Sequence, residues 1–132
     1  MNNLKGTIKN ISVDQQITLV DIQVGNLDML AIVIDTPEHA SYLKLGRKVK
    51  VIFKETEVII AHNPISEISL QNKIPGKILR MEENALLTKI ELDTNLGPLS
   101  SIITTRSAHH LNLQPGQSVV ALVKTNEVML SV

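Results

Sequence analysis

The residues whose types and spacing could do chemistry lie in the second half of the chain. Thr104 and Ser107 bracket a predicted helix start, residues 68–73 lead into a predicted strand, and Lys124 ends another. The first N–H groups of a helix lack backbone partners, and the helix dipole adds positive charge there. Hydroxyl donors, free backbone amides and one ammonium group together suit a small dianion.

A purely structural interpretation of the same residues is also open. Thr104, Thr105 and Ser107 are residue types that cap helices, and Lys124 could simply be a solvated strand end. Residue types alone favour this second interpretation, because most hydroxyl caps have no other role. A more specific pattern is needed to decide for an anion site.

Other chemistries find little support in the sequence. His109 and His110 are adjacent and so face different directions, whereas metal ligands on a helix are three or four residues apart. The chain has no cysteine. Glu82 and Glu83 have no partner that would suggest acid–base catalysis, and neither a Ser-His-Asp order nor a glycine-rich phosphate loop occurs. We therefore expect no enzyme, no metal cation and no nucleotide.

Short alternating apolar runs predict the strands that must position these residues. Val49, Val51 and Phe53 alternate with polar residues, as in a half-buried strand. Residues 36–43 differ, because Thr36 is a cap type and Pro37 suits the first helical position. This segment predicts a short helix.

The chain is also an internal repeat. A constant shift of 70 residues aligns 62 positions without a gap, and twelve of them are identical. Each copy reads as three strands, a short helix and two strands, and the break at His62-Asn63-Pro64 predicts repeats at 1–64 and 65–132. The identical pairs are Asn2/Asn72, Gly6/Gly76, Ile8/Ile78, Thr18/Thr88, Ile32/Ile102, His39/His109, Leu43/Leu113, Gly46/Gly116, Val49/Val119, Lys54/Lys124, Glu57/Glu127 and Val58/Val128.

The repeat length defines the expected fold class. A unit of about 65 residues with five short strands fits a small OB-like barrel. The prediction is an all-β protein with one short helix per repeat, arranged as tandem OB-like five-stranded β-barrels. Each unit is too small to be very stable by itself, so the copies should pack against each other and against other chains.

Composition argues against two classes of partner. The 13 basic and 13 acidic residues cancel, and Tyr42 and Phe53 are the only aromatic residues. An OB-fold that binds nucleic acid needs a basic groove and stacking aromatics, so no nucleic-acid partner is expected. The longest aliphatic run, residues 29–34, is too short to span a membrane, and the start does not read as a signal peptide. We expect a cytoplasmic protein.

Three motifs of the second copy, in this order, resemble the Mop module, which is also called the TOBE domain. They are Ser-x-x-Asn followed by Gly, then Ile-Thr-x-x-Ser-x-x-x-Leu-x-Leu-x-x-Gly, then Ala-Leu-Val-Lys-x-x-x-Val. The first copy matches more loosely. The residues that carry the resemblance are Ser69, Asn72, Gly76, Ile103, Thr104, Ser107, Leu111, Leu113, Gly116 and 121–128.

The resemblance implies a site and a ligand. In the family, molybdate or tungstate binds at module interfaces of a homotrimer. The family contacts correspond here to Ser69, Gln71, Thr104, Ser107 and Lys124, with Gln71 where arginine is common. Residues that could form a secondary site or compensate for that arginine are Thr36, Lys54 and Arg106. The implied function is intracellular binding of the oxyanion for storage or homeostasis, and the alternative is a molybdate-sensing module that acts through a partner protein.

The two copies are not expected to bind equally. Thr104 corresponds to Ile34 and Ser107 to Pro37, so the first copy has lost both hydroxyl donors, and Pro37 also lacks an amide N–H. Lys54 retains the lysine of the motif. We therefore predict that the stronger site belongs to the second copy.

Overall fold

The alternating apolar runs form strands that bury one face, as predicted. Val49, Val51 and Phe53 are at most 4% exposed. The computed structural model describes residues 1–132. Its strands are β1 (Asn2–Asp14), β2 (Ile17–Val24), β3 (Leu27–Val33), β4 (Lys48–Phe53), β5 (Ile59–His62), β6 (Asn72–Glu83), β7 (Leu87–Thr94), β8 (Gly97–Thr104), β9 (Ser118–Val123) and β10 (Met129–Ser131), with helix α1 (Thr105–His110) and 3₁₀ segments at Glu55–Glu57 and Thr125–Glu127.

The ten strands form two antiparallel five-stranded sheets that exchange one strand. Sheet A has the order β10-β4-β1-β2-β3, and sheet B has the order β5-β9-β6-β7-β8. Strand β5 of the first repeat pairs with β9, where Ile59 lies opposite Leu122. Strand β10 of the second repeat pairs with β4, where Leu130 lies opposite Val51. Neither sheet is therefore built from one sequence repeat alone.

The structure confirms part of the predicted fold class, because the protein is mostly β and consists of two five-stranded units. The hydrogen-bonded ladders leave both sheets open, because no ladder joins β3 to β10 or β8 to β5. Contacts between the repeats lie at these open ends. The Ser101 hydroxyl on β8, for example, donates a 2.7 Å hydrogen bond to the carbonyl of Val58.

Several irregularities recur at the repeat spacing. The β1/β2 ladder has a bulge between Ile8 and Asn10, and the β6/β7 ladder has one between Ile78 and Arg80. A glycine with positive φ, Gly46 or Gly116, precedes β4 and β9 and donates its N–H to the carbonyl of Ile8 or Ile78. The repeat identified in the sequence is thus a repeat of backbone geometry as well as of core residues.

The helix predicted in the first repeat is wrong. Residues 36–43 form turns, and only one backbone bond of α-helical spacing is present there, from the Ala40 N–H to the Thr36 carbonyl. In the second repeat Thr104 caps α1 by accepting from the Ser107 N–H at 3.1 Å. The first repeat has Ile34 at the capping position, and the Thr36 hydroxyl bonds to His39 instead of to the backbone. Without a side-chain cap for its first N–H groups, the segment of the first repeat does not form a helix.

Two buried asparagines connect the repeats. The Asn72 amide on β6 accepts from the Leu30 N–H at 2.7 Å and donates to the Leu30 carbonyl at 2.9 Å. The Asn2 amide on β1 makes the same pair of bonds, both 2.8 Å, with Ser100. Leu30 lies on edge strand β3 and Ser100 on edge strand β8. Each asparagine side chain therefore makes the pair of hydrogen bonds that a neighbouring strand would make, and it covers part of the open edge of the other sheet.

Apolar packing is also continuous between the repeats. One cluster of 25 buried hydrophobic residues includes Leu4, Val20 and Phe53 from the first repeat and Ile74, Ile90 and Leu99 from the second. A unit of about 65 residues buries too little surface to be very stable. The shared core removes this limit, because both repeats contribute to one apolar interior.

We predict that the asparagine pairs contribute measurably to stability. Asn72→Ala and Asn2→Ala should each lower the free energy of unfolding by about 1–3 kcal/mol, because a buried edge N–H and carbonyl lose their partners. Asn3→Ala is the matched control, since Asn3 is exposed and its side chain makes no hydrogen bond. Urea denaturation measures all three variants. An Asn3→Ala loss equal to that of Asn2→Ala would contradict this role.

Candidate functional site

Three of the predicted site residues meet on one concave surface of sheet B. Ser69, Gln71 and Lys124 line a surface of about 280 Å³ together with Ile59 and Thr125, and Leu70 completes it. The β6/β9 register explains the meeting, because Asn72 lies opposite Val123 and so brings Gln71 beside Lys124. We call this the lysine half-site. No carboxylate lines it, and Lys124 makes no ion pair.

The other two predicted residues lie on a neighbouring concave surface. Thr104 and Ser107 are among the ten residues that line a volume of about 470 Å³, seven of which are hydrophobic. We call this the hydroxyl half-site. Ile59 lines both half-sites. The structure therefore brings the five predicted residues together as two adjacent groups, and all five side chains are exposed in the single chain.

Hydrogen bonds within the hydroxyl half-site determine which of its hydroxyl and amide protons remain free to bind an anion. Thr104 Oγ1 donates to Ser107 Oγ at 2.9 Å and accepts from the Ser107 backbone N–H at 3.1 Å. The Thr104 hydroxyl proton and the Ser107 N–H are thus used by the cap, and the Ser107 hydroxyl proton stays available. Thr105 faces the interior, where its hydroxyl is within 2.8 Å of the Thr88 hydroxyl. Ser107 can therefore take part in the helix cap through its backbone N–H and still donate a hydrogen bond from its hydroxyl group.

The residues predicted for a secondary site do not come together. Arg106 is exposed and lines neither half-site. Thr36 lies in a different depression beside two acidic residues, Asp35 and Glu38, which would repel an anion. Lys54 directly precedes Glu55 in the first repeat, at the position equivalent to Lys124, and it does not line the depression that contains Thr36. These three positions give no common binding surface.

The counterpart of the lysine half-site in the first repeat contains an internal ion pair. The shift of 70 residues matches Gln71 with Met1 and Thr125 with Glu55. The Met1 amino group and the Glu55 carboxylate are 2.7 Å apart, and this hydrogen bond holds the pKa of Glu55 below its usual value. A carboxylate therefore occupies the position where the second repeat presents a hydroxyl. The Glu55 carboxylate therefore already places a negative charge where an anion would otherwise bind.

Sequence reasoning missed Thr125 and Glu55. Thr125 follows Lys124 directly, and its hydroxyl lines the lysine half-site. The alignment of the two repeats contained the signal, because the residue after the repeated lysine changes from a carboxylic acid to a hydroxyl between copies. The change matters for an anion, since a carboxylate next to the ammonium group would cancel its charge.

The histidines form no metal site. His109 Nε2 is 2.6 Å from Glu83 Oε1, and His62 Nε2 is 2.8 Å from the carbonyl of Leu111. His39 contacts the Thr36 hydroxyl, so His39 and its repeat equivalent His109 have different partners. No group of three or more His, Cys, Asp or Glu side chains is arranged to hold a metal ion. None of the helices has the length and hydrophobicity needed to cross a bilayer.

The second repeat matches a known family. The TOBE domain matches residues 68–130. The probable molybdenum-pterin-binding protein of Haemophilus influenzae is 30% identical over 67 residues, which are 50% of this chain and 97% of that protein. The molybdenum-pterin-binding protein MopB of Rhodobacter capsulatus is 28% identical over 126 residues, or 92% of this chain. The chain spans 46% of the length of MopB.

A solved structure resembles the whole chain. It is the cytoplasmic molybdate-binding protein ModG with molybdate bound, which is 25% identical to this chain and superimposes with a TM-score of 0.91. The match covers 99% of this chain and 95% of that one. Both repeats and their exchange of strands therefore fall within the matched region.

We predict that the Met1–Glu55 pair stabilises the protein in a pH-dependent way. A lowered folded-state pKa gives stability that is present above the unfolded pKa and is lost as the pH falls through the folded value. Glu55→Gln should lower Tm at pH 7 by a few degrees, on the order of 1–4 °C for a partly exposed pair. At pH 3 the difference from wild type should shrink.

Thermal unfolding of wild type and variant at both pH values measures this effect. Glu57→Gln is the control, because Glu57 lies in the same 3₁₀ segment and makes no ion pair. A Tm difference for Glu55→Gln that is as large at pH 3 as at pH 7 would refute the assignment.

Proposed function

Because this chain belongs to the TOBE-domain family of molybdenum-pterin-binding proteins, we propose that it binds molybdate through its second repeat. The observation that carries the proposal is the lysine half-site, where Lys124 lies beside the hydroxyl and amide groups of Ser69, Gln71 and Thr125 without any carboxylate. Hydroxyl, amide and ammonium groups all donate hydrogen bonds. Molybdate is a dianion whose oxygens only accept them.

A site of donors explains how molybdate is distinguished from other anions. Phosphate at neutral pH keeps a proton that needs an acceptor, and a donor site leaves it unpaired at a cost of about 1–3 kcal/mol. Sulfate has no such proton but is smaller, so donors spaced for molybdate fit it poorly. Tungstate has nearly the same size and charge as molybdate, and we propose that it binds as well.

The site is proposed to form between copies of the chain. The lysine half-site and the hydroxyl half-site are separate and exposed, so each lacks donors that the other has. Ile59 and Leu87 line the half-sites and are 48% and 51% exposed. Their equivalents in the other repeat, Met129 and Ile17, are also 43% and 49% exposed. Such a patch favours association. We propose a homotrimer in which Lys124 of one copy and Ser107 of the next copy contact the same anion.

The first repeat is proposed to serve the assembly rather than the ligand. Glu55 neutralises the counterpart of the lysine half-site, and Ile34, which is 85% exposed, replaces the Thr104 hydroxyl. This leaves one competent set of donors per chain. With binding rather than catalysis as its activity, the protein would store or buffer the oxyanion in the cytoplasm.

We predict that molybdate and tungstate stabilise the folded protein. A ligand that binds only the folded state at 100 times its Kd raises the free energy of unfolding by about 2.7 kcal/mol. Thermal unfolding and calorimetry with molybdate, tungstate, sulfate and phosphate at equal ionic strength measure the effect. Equal stabilisation by sulfate, or none by molybdate and tungstate, would refute the proposal.

A second prediction tests whether the site lies between copies. Ser107→Ala and Lys124→Ala should each weaken molybdate binding by about 10- to 100-fold, because each removes one donor to a charged acceptor. Lys54→Ala, the repeat-equivalent control, should leave binding near the wild-type value. Sedimentation equilibrium should give a trimer for all variants.

The two weak variants are then unfolded together, refolded as a mixture and titrated. If Lys124 and Ser107 of different copies share a site, roughly a quarter of the interfaces in random mixed trimers contain neither substitution and recover full affinity. If both residues serve a site within one chain, every site keeps one substitution and no affinity returns. The second outcome, or a monomer in sedimentation, would contradict the shared site.

A further inference from the structure

A further concave surface lies away from both half-sites, on the outer face of sheet A. It encloses about 520 Å³ and is lined by three lysines, Lys5, Lys48 and Lys50, together with Thr7, Gln23 and Val132. We call it the lysine groove. Small-molecule sites usually enclose about 300–1,000 Å³, so the groove is large enough for a ligand bigger than a tetrahedral oxyanion.

The three lysines are held close together by the β1/β4 ladder. Lys5 lies directly opposite Lys50, and Thr7 lies opposite Lys48. Side chains directly opposite each other on one face begin about 5 Å apart, and residues two apart on one strand about 7 Å apart. Like charges directly opposite each other destabilise a sheet. The fold itself gains nothing from this arrangement.

No side-chain carboxylate lines the groove. Two basic side chains of the protein form ion pairs, Lys9 with Asp28 at 2.7 Å and Arg80 with Glu91 at 2.9 Å. The three groove lysines form no ion pair with any carboxylate. The chain has no net charge, so this concentration of positive charge is local.

The second repeat demonstrates that the strand pairing does not require these lysines. Lys5, Lys48 and Lys50 correspond to Pro75, Ser118 and Val120, and Pro75 lies opposite Val120 in the same register. The equivalent ladder therefore forms with no charge at these three positions. The lysines are therefore a property of the first repeat alone, and the strand pairing does not need them.

We infer that the lysine groove binds a small molecule that carries two or three adjacent phosphate groups. Three ammonium groups and the Thr7 hydroxyl are all hydrogen-bond donors, and the spacing of the lysines allows one di- or triphosphate group to contact all three. The sequence predicted no nucleotide because it lacks a glycine-rich phosphate loop. The groove differs from such a loop in offering side-chain ammonium groups rather than backbone amides.

Calorimetry on the native oligomer tests the inference with inorganic tripolyphosphate, ATP and orthophosphate at matched ionic strength. Tripolyphosphate should bind more tightly than orthophosphate. Lys5→Gln and Lys50→Gln should each weaken tripolyphosphate binding by about tenfold. Lys77→Gln is the matched control, because it removes the same charge from an exposed position of sheet B and should leave Kd unchanged.

A stability readout separates a lost ligand contact from a damaged fold. Without ligand and at low salt, Lys50→Gln should unfold at the same Tm as wild type or a higher one, because the repulsion with Lys5 is gone. If ATP binds more tightly than tripolyphosphate, the ligand of the groove is a nucleotide. If the two bind equally, the ligand is a condensed phosphate. The inference is overturned if tripolyphosphate binds no better than orthophosphate, or if Lys77→Gln weakens binding as much as Lys50→Gln.

Discussion

Strand β5 lies beside β9 and strand β10 lies beside β4, so each repeat completes the sheet of the other. The reciprocal bonds of Asn2 and Asn72 to the edge strands β8 and β3 reinforce the same connection. Small β units are limited by low burial and by exposed strand edges. Exchange of strands addresses both limits, because it creates one continuous core and covers part of each open edge.

The candidate site follows from this exchange. Ile59 belongs to the exchanged strand β5 and lies between the lysine half-site and the hydroxyl half-site. The donors of the second repeat are therefore arranged around a residue that the first repeat supplies. A second repeat without the first would have the motif residues but would lack the contribution of Ile59 to this surface.

The two repeats share one arrangement of strands, and a few side-chain differences give them different surface charges. The position after the repeated lysine is Glu55 in one copy and Thr125 in the other. On the outer face, three lysines in the first copy replace Pro75, Ser118 and Val120 in the second. Changes of this kind alter surface charge at little cost to the core, because the buried positions, such as Ile8 and Ile78, keep their apolar character.

The sequence by itself determined the strands, the repeat and five of the candidate donors, although not Thr125. Alternation with a period of two and the shift of 70 residues are local or linear properties, so Val49, Val51 and Phe53 could be assigned to a buried face directly. The chemistry of Ser107 and Lys124 is likewise a property of residue type. The order of the three motifs along the chain indicated the family, and the anion site followed from that resemblance.

Only the tertiary structure decided which sheet each fifth strand joins and which donors share a surface. The alternating pattern of residues 59–62 is satisfied equally well beside β4 or beside β9, because both positions bury the same face. Likewise, the residue types of segment 36–43 predicted a helix. The structure has turns there, because Ile34 stands at the position where Thr104 caps α1. The ladder that sets Lys5 opposite Lys50, and the register that sets Gln71 beside Lys124, join residues more than 40 positions apart. Long-range pairing of this kind depends on the whole core, and no local pattern encodes it.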